Sequence, residues 1–372
     1  MKVLHVNSNY LYTNLHQSMI EFLTARHIGS IVYVPISDRK GAVVKPNENV
    51  VAVECFNKWD RLVFDYKQTK ILRGLYESVD LKGIDLVHAY TLFTDGNCAR
   101  KIKKKYGIPY VVAIRNTDVN AFFKLRPHLR RRGLQIMLDA EAVFFLSDAY
   151  KEQVYNNYIP AEFREALLKK TEVIPNGIDP FWIKNPPEQL LVPDFSHEIR
   201  LIYAGRIDKN KNITSTQAAM KILEQWGYHV SLTVVGKVAE KKVMAQIEKD
   251  PHTICLAPRP KEELIRQYRD HHIFVMPSHN ETFGLVYAEA MSQGLPVVYT
   301  RGQGFDCQFP EGEVGYHVNA TRPEEIADAI LRIVNDYECI QKRCITNYTR
   351  FNWENITERY YAVYHAILNR KQ

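Results

Sequence analysis

Pro277-Ser278-His279-Asn280-Glu281-Thr282-Phe283-Gly284-Leu285-Val286-Tyr287-Ala288-Glu289-Ala290-Met291-Ser292-Gln293-Gly294-Leu295-Pro296 is the stretch on which the reading of the chain turns. It lies between two short apolar runs, Ile273 to Met276 and Pro296 to Tyr299, each with the nearly continuous apolar character of a strand buried on both faces. Gly284 allows close backbone approach and a helix begins near it, so the unit reads strand, loop, helix, strand. Free N–H groups and the positive end of the helix dipole then face the loop, an arrangement that suits an anion. Glu281 lies in the loop and Glu289 within the helix, on opposite sides of the helix start. Two such carboxylates can accept hydrogen bonds from hydroxyls at either side of a phosphate in one extended ligand. The bland alternative makes Glu281 a helix cap and Glu289 a surface charge.

The same alternation extends outward through the chain. Val3 to Asn7, Ile31 to Pro35, Val50 to Phe56, Asp85 to Tyr90, Tyr110 to Arg115, Ala142 to Ser147 and Glu172 to Pro175 read as buried parallel strands, with helical patterns such as Leu15, Met19, Phe22 and Leu23 between most of them. A linker-like stretch follows Pro186-Pro187-Glu188 and runs through Pro193 and Ser196. Strands then resume at Ile199 to Ala204, Val230 to Val235 and His252 to Leu256. A helix is expected from Thr321, which has capping-box spacing to Glu324. The fold class is therefore α/β, with two doubly wound Rossmann-like domains in tandem and a helical, tyrosine-rich tail from Trp353 to Ile367. Such a pair places a cleft between the domains, and the chemistry belongs in the loops after the strands.

Length and composition agree: 372 residues exceed one core, and 46% hydrophobic with 24% charged residues excludes a disordered or fibrous chain. Cys55, Cys98, Cys255, Cys307, Cys339 and Cys344 are too sparse for a disulfide scaffold and show no zinc spacing, so a reducing, cytoplasmic compartment is expected. The N-terminal apolar stretch is too short for a signal peptide or a membrane span. Residues 1–190 carry 27 Lys/Arg against 20 Asp/Glu, whereas 191–372 carry 22 of each. Between Arg100 and Arg132, eleven bases (Arg100, Lys101, Lys103, Lys104, Lys105, Arg115, Lys124, Arg126, Arg130, Arg131 and Arg132) face the single acid Asp118. That run is either a solvated helical face or a surface for an anionic membrane. No stacking platform or groove-reading motif points to nucleic acid.

Two further pieces accompany the Glu pair. Gly205-Arg206-Ile207-Asp208-Lys209-Asn210-Lys211 follows a buried strand and delivers two cations from one loop, which suits a diphosphate. Pro175-Asn176-Gly177-Ile178-Asp179 forms a tight turn.

Together these residues resemble the retaining family 4 glycosyltransferases of the GT-B fold. The signature of Glu, seven residues, then Glu matches Glu281 and Glu289, the strand-G-R-x-x-x-x-K loop matches Arg206 and Lys211, and the P-N-G-[IV]-D turn matches Pro175 to Asp179. The resemblance implies residues 1–187 as the acceptor-binding domain, 188–350 as the nucleotide-sugar donor-binding domain, and 351–372 as a helix packing back on the first. It implies catalytic roles for Arg206, Lys211 and Glu281: the cations neutralise the donor diphosphate and Glu281 holds the donor sugar. Donor binding falls to Gly205, the backbone of Phe283, Gly284 and Leu285, Glu289 at the ribose hydroxyls, Arg259 near the base, and Asn176. Stabilising the departing diphosphate is then the main catalytic term. No metal or other cofactor is expected, since no DxD motif is present. The implied partners are a nucleotide sugar, with a UDP-sugar favoured, and a glycan or lipid-linked acceptor of cell-surface polysaccharide synthesis. The site of action is cytoplasmic, peripheral on the inner face of the membrane.

Two positions depart from the family. The loop after the first strand, Ser8-Asn9-Tyr10-Leu11-Tyr12-Thr13, lacks the usual glycine pair, and Arg115 and Asn116 stand where a histidine that contacts the donor sugar is common. His88 is either a further sugar or acceptor contact or a packed core histidine. A nucleotide-sugar 2-epimerase shares the fold but lacks the Glu281/Glu289 arrangement. A two-domain ligand-binding protein leaves Arg206 and Lys211 unexplained.

Overall fold

Alternating strands and helices wind into two parallel sheets in the computed structural model, which describes residues 1–37, 49–190 and 192–370, with Arg61 described in its backbone alone. Leu191 of the expected linker lies outside the described residues. The chain divides into two units. Unit 1 comprises Met1–Leu146, Lys151–Pro175 and Trp353–Gln372, and unit 2 comprises Ser147–Tyr150 and Asn176–Asn352.

Unit 1 is built on β1 (Lys2–Val6), β2 (Gly29–Ser37), β3 (Val50–Phe56), β4 (Leu86–Ala89), β5 (Tyr110–Ala113), β6 (Ala142–Phe145) and β7 (Thr171–Val173), in the order β3-β2-β1-β4-β5-β6-β7. Unit 2 is built on β8 (Ile199–Ala204), β9 (Val230–Val235), β10 (Thr253–Leu256), β11 (Ile273–Val275), β12 (Val297–Thr300) and β13 (Gly315–Val318), in the order β10-β9-β8-β11-β12-β13. Strand order reverses once in each sheet, between β1 and β4 and between β8 and β11. At such a reversal the crossover helices leave to opposite faces, which opens a crevice at the carboxyl ends of the two central strands. The crevice of unit 2 receives the loop from Gly205 and the loop from Pro277.

The last helix, Trp353–Asn369, belongs to unit 1. Trp353, Ile356, Tyr360, Tyr364 and Ile367 recur every three or four positions and make one apolar stripe, which packs with Val3, Met19, Leu23 and Val32. Arg26 fastens the start of this helix through the Glu354 carbonyl at 2.7 Å and the Glu358 carboxylate at 3.1 Å. Arg359 donates to the carbonyl of Val173 at 2.7 Å.

His88 is therefore no surface contact. It is fully buried, stacks on Tyr90 at 4.3 Å, and lies with Nδ1 2.6 Å from the Tyr364 hydroxyl. Burial, aided by His5 and Arg115, holds its pKa well below the usual value, so it is a neutral core histidine. Two other expectations change in detail. The helix Pro323–Asn335 starts after Arg322 with no side-chain cap, because Pro323 fixes the first helical position and Thr321 instead bonds Asn319 at 2.9 Å. β13 was not expected, since Gly315-Tyr316-His317-Val318 lacks a continuous apolar run.

Replacing Tyr364 with Phe removes the hydroxyl beside His88 without changing shape. The expected cost is about 1–3 kcal/mol in urea unfolding, since the buried ring nitrogen is left without a partner. An unchanged midpoint would show that the last helix is held by its apolar stripe alone.

Candidate active site

The loop after β8 starts at Gly205 (φ 153), where a Cβ on Gly236 would collide with the Gly205 carbonyl oxygen, so both positions need glycine. Buried Asp208 organises the rest of this loop. One of its oxygens takes the Arg206 Nε at 2.5 Å and the other accepts the Lys211 N–H at 3.2 Å, which turns the chain and tethers Arg206 while leaving its side chain exposed. Asn210 then joins this loop to the loop after β11. Its carbonyl accepts the His279 N–H at 2.8 Å, its Oδ1 accepts the Asn280 N–H at 3.0 Å, and its Nδ2 donates to the Asn280 carbonyl at 2.9 Å. Asn212, in the left-handed region at φ 56, adds a bond to the Pro277 carbonyl at 3.0 Å.

Across this seam Lys211 Nζ meets Glu281 Oε2 at 2.5 Å, with side chains only 17% and 13% exposed. Glu281 is fixed on every side: its second oxygen accepts the Thr282 N–H at 3.0 Å, its N–H donates to Gln303 at 2.8 Å, and its carbonyl accepts the Gly304 N–H at 2.8 Å. The Phe283 ring is buried against Phe351 at 5.5 Å, so this residue offers the crevice its backbone rather than its side chain. Gly284 (φ 76) precedes the helix Leu285–Met291, and a Cβ there would strike the Tyr287 ring.

Glu289 sits in a second cluster. Dehydration pushes its pKa up to about 7, the charge on Asp179 adds to this, and Lys261 opposes it. Asp179 caps the helix Pro180–Lys184 through the Phe181 N–H at 2.8 Å and pairs with Lys261 at 2.7 Å. Asn176, in the same turn, is buried, and the turn is held by the Ile178 N–H on the Phe351 carbonyl at 3.0 Å. Arg259 is exposed and pairs with Glu263 at 3.2 Å, on the helix Lys261–Arg269. The structure thus brings Gly205, Arg206, Lys211, Glu281 and Phe283 to Leu285 to the unit 2 crevice. It gathers Asn176 with the Asp179, Lys261 and Glu289 group. Sequence reading missed Asp208, Asn210 and Asn212, although polar residues concentrated after a strand were the available signal.

Unit 1 has its own crevice, a cavity of about 390 Å³ at the carboxyl ends of β1 to β5, lined by Ser8, Asn9, Thr91, Thr94, Asp118 and Arg126 among others. The loop that lacks glycine is held there by Ser8, whose N–H and hydroxyl both donate to buried Asp95 at 3.3 Å. Asp118 accepts backbone N–H groups of Leu92, Phe93 and Arg115 at 3.0, 3.2 and 2.9 Å, and burial raises its pKa to about 6. Arg115 is buried, with Nε 3.4 Å from the Tyr90 carbonyl, while Asn116 bonds Asn120. Ser37 Oγ lines the cavity, buried and without a partner among the described residues. Among those residues no group of three or more His, Cys, Asp or Glu could hold a metal ion.

Comparison with known proteins agrees with this architecture. A family model described as Glycosyltransferase Family 4 matches residues 18–181, and one described as Glycosyl transferases group 1 matches residues 193–350. The chain belongs to the family 4 glycosyltransferases, and its two units are those of the GT-B fold. A D-inositol 3-phosphate glycosyltransferase of Corynebacterium urealyticum is 36% identical over 117 residues, which is 30% of this chain and 27% of the relative. The match therefore spans little more than a quarter of that relative's length. Among solved structures, sucrose-phosphate synthase from Thermosynechococcus elongatus superposes with a TM-score of 0.76 at 17% identity, covering 100% of both chains. Anabaena HepE in complex with UDP and glucose superposes with a TM-score of 0.70 at 18% identity, covering 98% of this chain and 100% of that one. At these identities the structural likeness concerns the fold.

The Lys211–Glu281 pair makes a prediction that is independent of any ligand. Lys211→Met strands a dehydrated carboxylate and should cost about 2–3 kcal/mol in urea unfolding, whereas adding Glu281→Gln should recover at least half of the loss. Additive losses in the double variant would mean that the two side chains are not coupled.

Proposed function

We propose that the protein is a retaining glycosyltransferase that moves a sugar from a nucleoside diphosphate sugar, UDP-linked by preference, to a glycan or lipid-linked acceptor of a cell-surface polysaccharide. The observation that carries this reading is the placement of Arg206, Lys211 and Glu281 at the strand-order reversal of unit 2. Both cations are pre-positioned by carboxylates that a diphosphate can replace or join, so charge on the leaving group meets groups already oriented. Glu281 is set to accept hydroxyls of the donor sugar, and Glu289 those of the ribose. HepE, of the same fold, was solved with UDP and glucose, which supports the preference for uridine. In a retaining reaction of this kind the acceptor hydroxyl attacks the face that the diphosphate leaves, and its proton passes to a phosphate oxygen of the donor. The bond from the anomeric carbon to the phosphate oxygen breaks and a bond to the acceptor oxygen forms, without an enzyme nucleophile.

The acceptor would occupy the crevice of unit 1. Its lining of Ser and Thr hydroxyls with the amide of Asn9, and with Tyr12, Phe64 and Phe122 at the side, suits a sugar ring: polar groups for its hydroxyls and aromatic faces for its C–H surface. The buried hydroxyl of Ser37, without a partner among the described residues, is a ready donor for such a ligand. Arg115 would act through Tyr90 and the backbone rather than by touching the sugar. The enzyme would work in the cytoplasm, at the inner face of the membrane that carries its acceptor.

Arg206→Ala and Lys211→Ala should each lower sugar transfer from UDP-sugars by on the order of 10²-fold or more, with and without EDTA, in an assay of labelled sugar incorporation. Normal turnover in both variants would remove the leaving-group role. Glu289 gives a pH signature. Its carboxyl is half-protonated near pH 7 rather than near 4.5, so it becomes the stronger acceptor only as pH rises through that value. Affinity for a nucleoside diphosphate should therefore increase between about pH 6 and 8, and Glu289→Gln should flatten the rise. A Gln variant with the same slope would assign the titration to the ligand.

A further inference from the structure

The helix Phe64–Ser78 buries Phe64, Gln68, Ile71 and Leu75, one side of its cylinder. Trp59, Leu62, Val63 and Tyr66, in the preceding turn and on the helix's first turn, are left 54–77% exposed. Of the twelve large apolar side chains that are exposed among the described residues, four fall in these eight positions, and packing accounts for none of them. Two cations touch the cluster: Lys58 Nζ lies 5.1 Å from the Trp59 ring centre, and Lys70 Nζ, paired with buried Asp60 at 2.9 Å, lies 4.6 Å from that of Tyr66. Leu125 is also exposed, and its segment is joined to this one by the contact of Phe64 with Phe122 at 5.9 Å. Farther along the same helix a groove of about 940 Å³ opens, with Arg73, Arg100, Lys101, Lys104, Lys105 and Arg132 against only Asp65 and Glu77.

The basic run from Arg100 to Arg132 divides accordingly. Arg100, Lys103 and Arg132 are consumed by Asp139, Glu141 and Asp65, and Arg115 is buried. Lys101, Lys104 and Lys105 keep no carboxylate partner among the described residues, and all three are exposed. An apolar tip at one end of a groove whose other end, beside Tyr76, carries unneutralised lysines has the composition of a surface that enters the interface of an anionic bilayer: aromatic and aliphatic groups at the acyl boundary, ammonium groups at the phosphates. Among the described residues no helix is long and apolar enough to cross a membrane, so docking here is from one side.

We propose that unit 1 docks on an anionic phospholipid surface by inserting Trp59, Leu62, Val63 and Tyr66, with the lysines of the adjoining groove on the headgroups. Phe64 and Lys67 of the same helix line the unit 1 crevice, so docking brings that crevice to the layer in which a lipid-linked acceptor is anchored. This purpose rests on the acceptor reading above. The docking itself does not, and its test needs no catalysis.

The full chain is sedimented with phosphatidylcholine vesicles, with and without phosphatidylglycerol. Binding is expected only with phosphatidylglycerol and should fall with salt. Trp59→Ser with Leu62→Ser should weaken it by about tenfold or more, and Lys101→Glu with Lys104→Glu by a similar factor, since each lysine near the surface contributes about fivefold. All of these side chains are exposed, so melting temperatures should not move. With brominated phosphatidylglycerol the wild type should lose tryptophan fluorescence and Trp59→Phe should not. No sedimentation with either vesicle overturns the proposal, as does equal binding by the serine variant. A wild-type dimer that the serine variant converts to monomer would assign the patch to a second copy instead. If vesicle binding fails while transfer activity persists, the glycosyltransferase reading stands without it.

Discussion

The 2.5 Å ion pair between Lys211 and Glu281 is the interaction on which the site in unit 2 depends. It bridges the two loops that leave β8 and β11, the strands between which sheet order reverses, and it does so where little water remains to screen it. An unpaired ammonium or carboxylate would be costly in that position, so each side chain requires the other until a ligand arrives. Asp208 and Asn210 make the pairing possible by fixing the path of the first loop and joining it to the second. On the proposed reading, a diphosphate entering the crevice would find cations already oriented, and a sugar carried with it would find a carboxylate whose remaining freedom has been removed by Thr282, Gln303 and Gly304.

Unit 1 is ordered by a different device. Its centre holds His5, His16, His88 and Tyr90 with Tyr360 and Tyr364 of the last helix, a polar and aromatic cluster almost closed to solvent. Burial lowers the pKa of His5 and His16 to about 3, so the cluster stays neutral at ordinary pH. Because the unfolded chain takes up these protons near pH 6.5, this part of the stability is present above that pH and is lost as pH falls toward 3. Asp95 and Asp118, with pKa values raised to about 7 and 6, act in the opposite sense over the upper part of the window.

Much of this was legible in the sequence. Twelve of the strands announce themselves as short runs rich in apolar residues: the central ones are buried on both faces and have few polar positions to interrupt them, whereas β3, β7 and β10, at sheet edges, are only part-buried and carry Glu54, Glu172 and Thr253. The pair of glutamates around Gly284, and the cations after Gly205, stand in the loops that the topology makes functional. What escaped was whatever depends on partners distant in the chain. Glu281 and Lys211 were read as separate contacts to a ligand, and only the fold shows them as one ion pair across 70 positions. His88 and Arg115 end strands and look available, yet Tyr364, 276 positions from His88, closes over the first. Asp208, Asn210 and Asn212 resemble any solvated loop until their partners are known, and the apolar cluster from Trp59 to Tyr66 reads as an ordinary helix start until its exposure is seen.

The central claim, that the crevice of unit 2 is a site for a nucleoside diphosphate, is most directly tested by thermal shift of the full chain against UDP, GDP, ADP and CMP, with and without Mg²⁺ or EDTA. One nucleoside diphosphate, expected to be UDP, should raise the melting temperature regardless of chelator. At 100 times its dissociation constant it adds roughly 2.7 kcal/mol, and the effect should be lost in Lys211→Ala. A chain that melts at the same temperature with all four nucleotides would contradict the account, because the Lys211–Glu281 seam would then be a structural clasp and not a donor site.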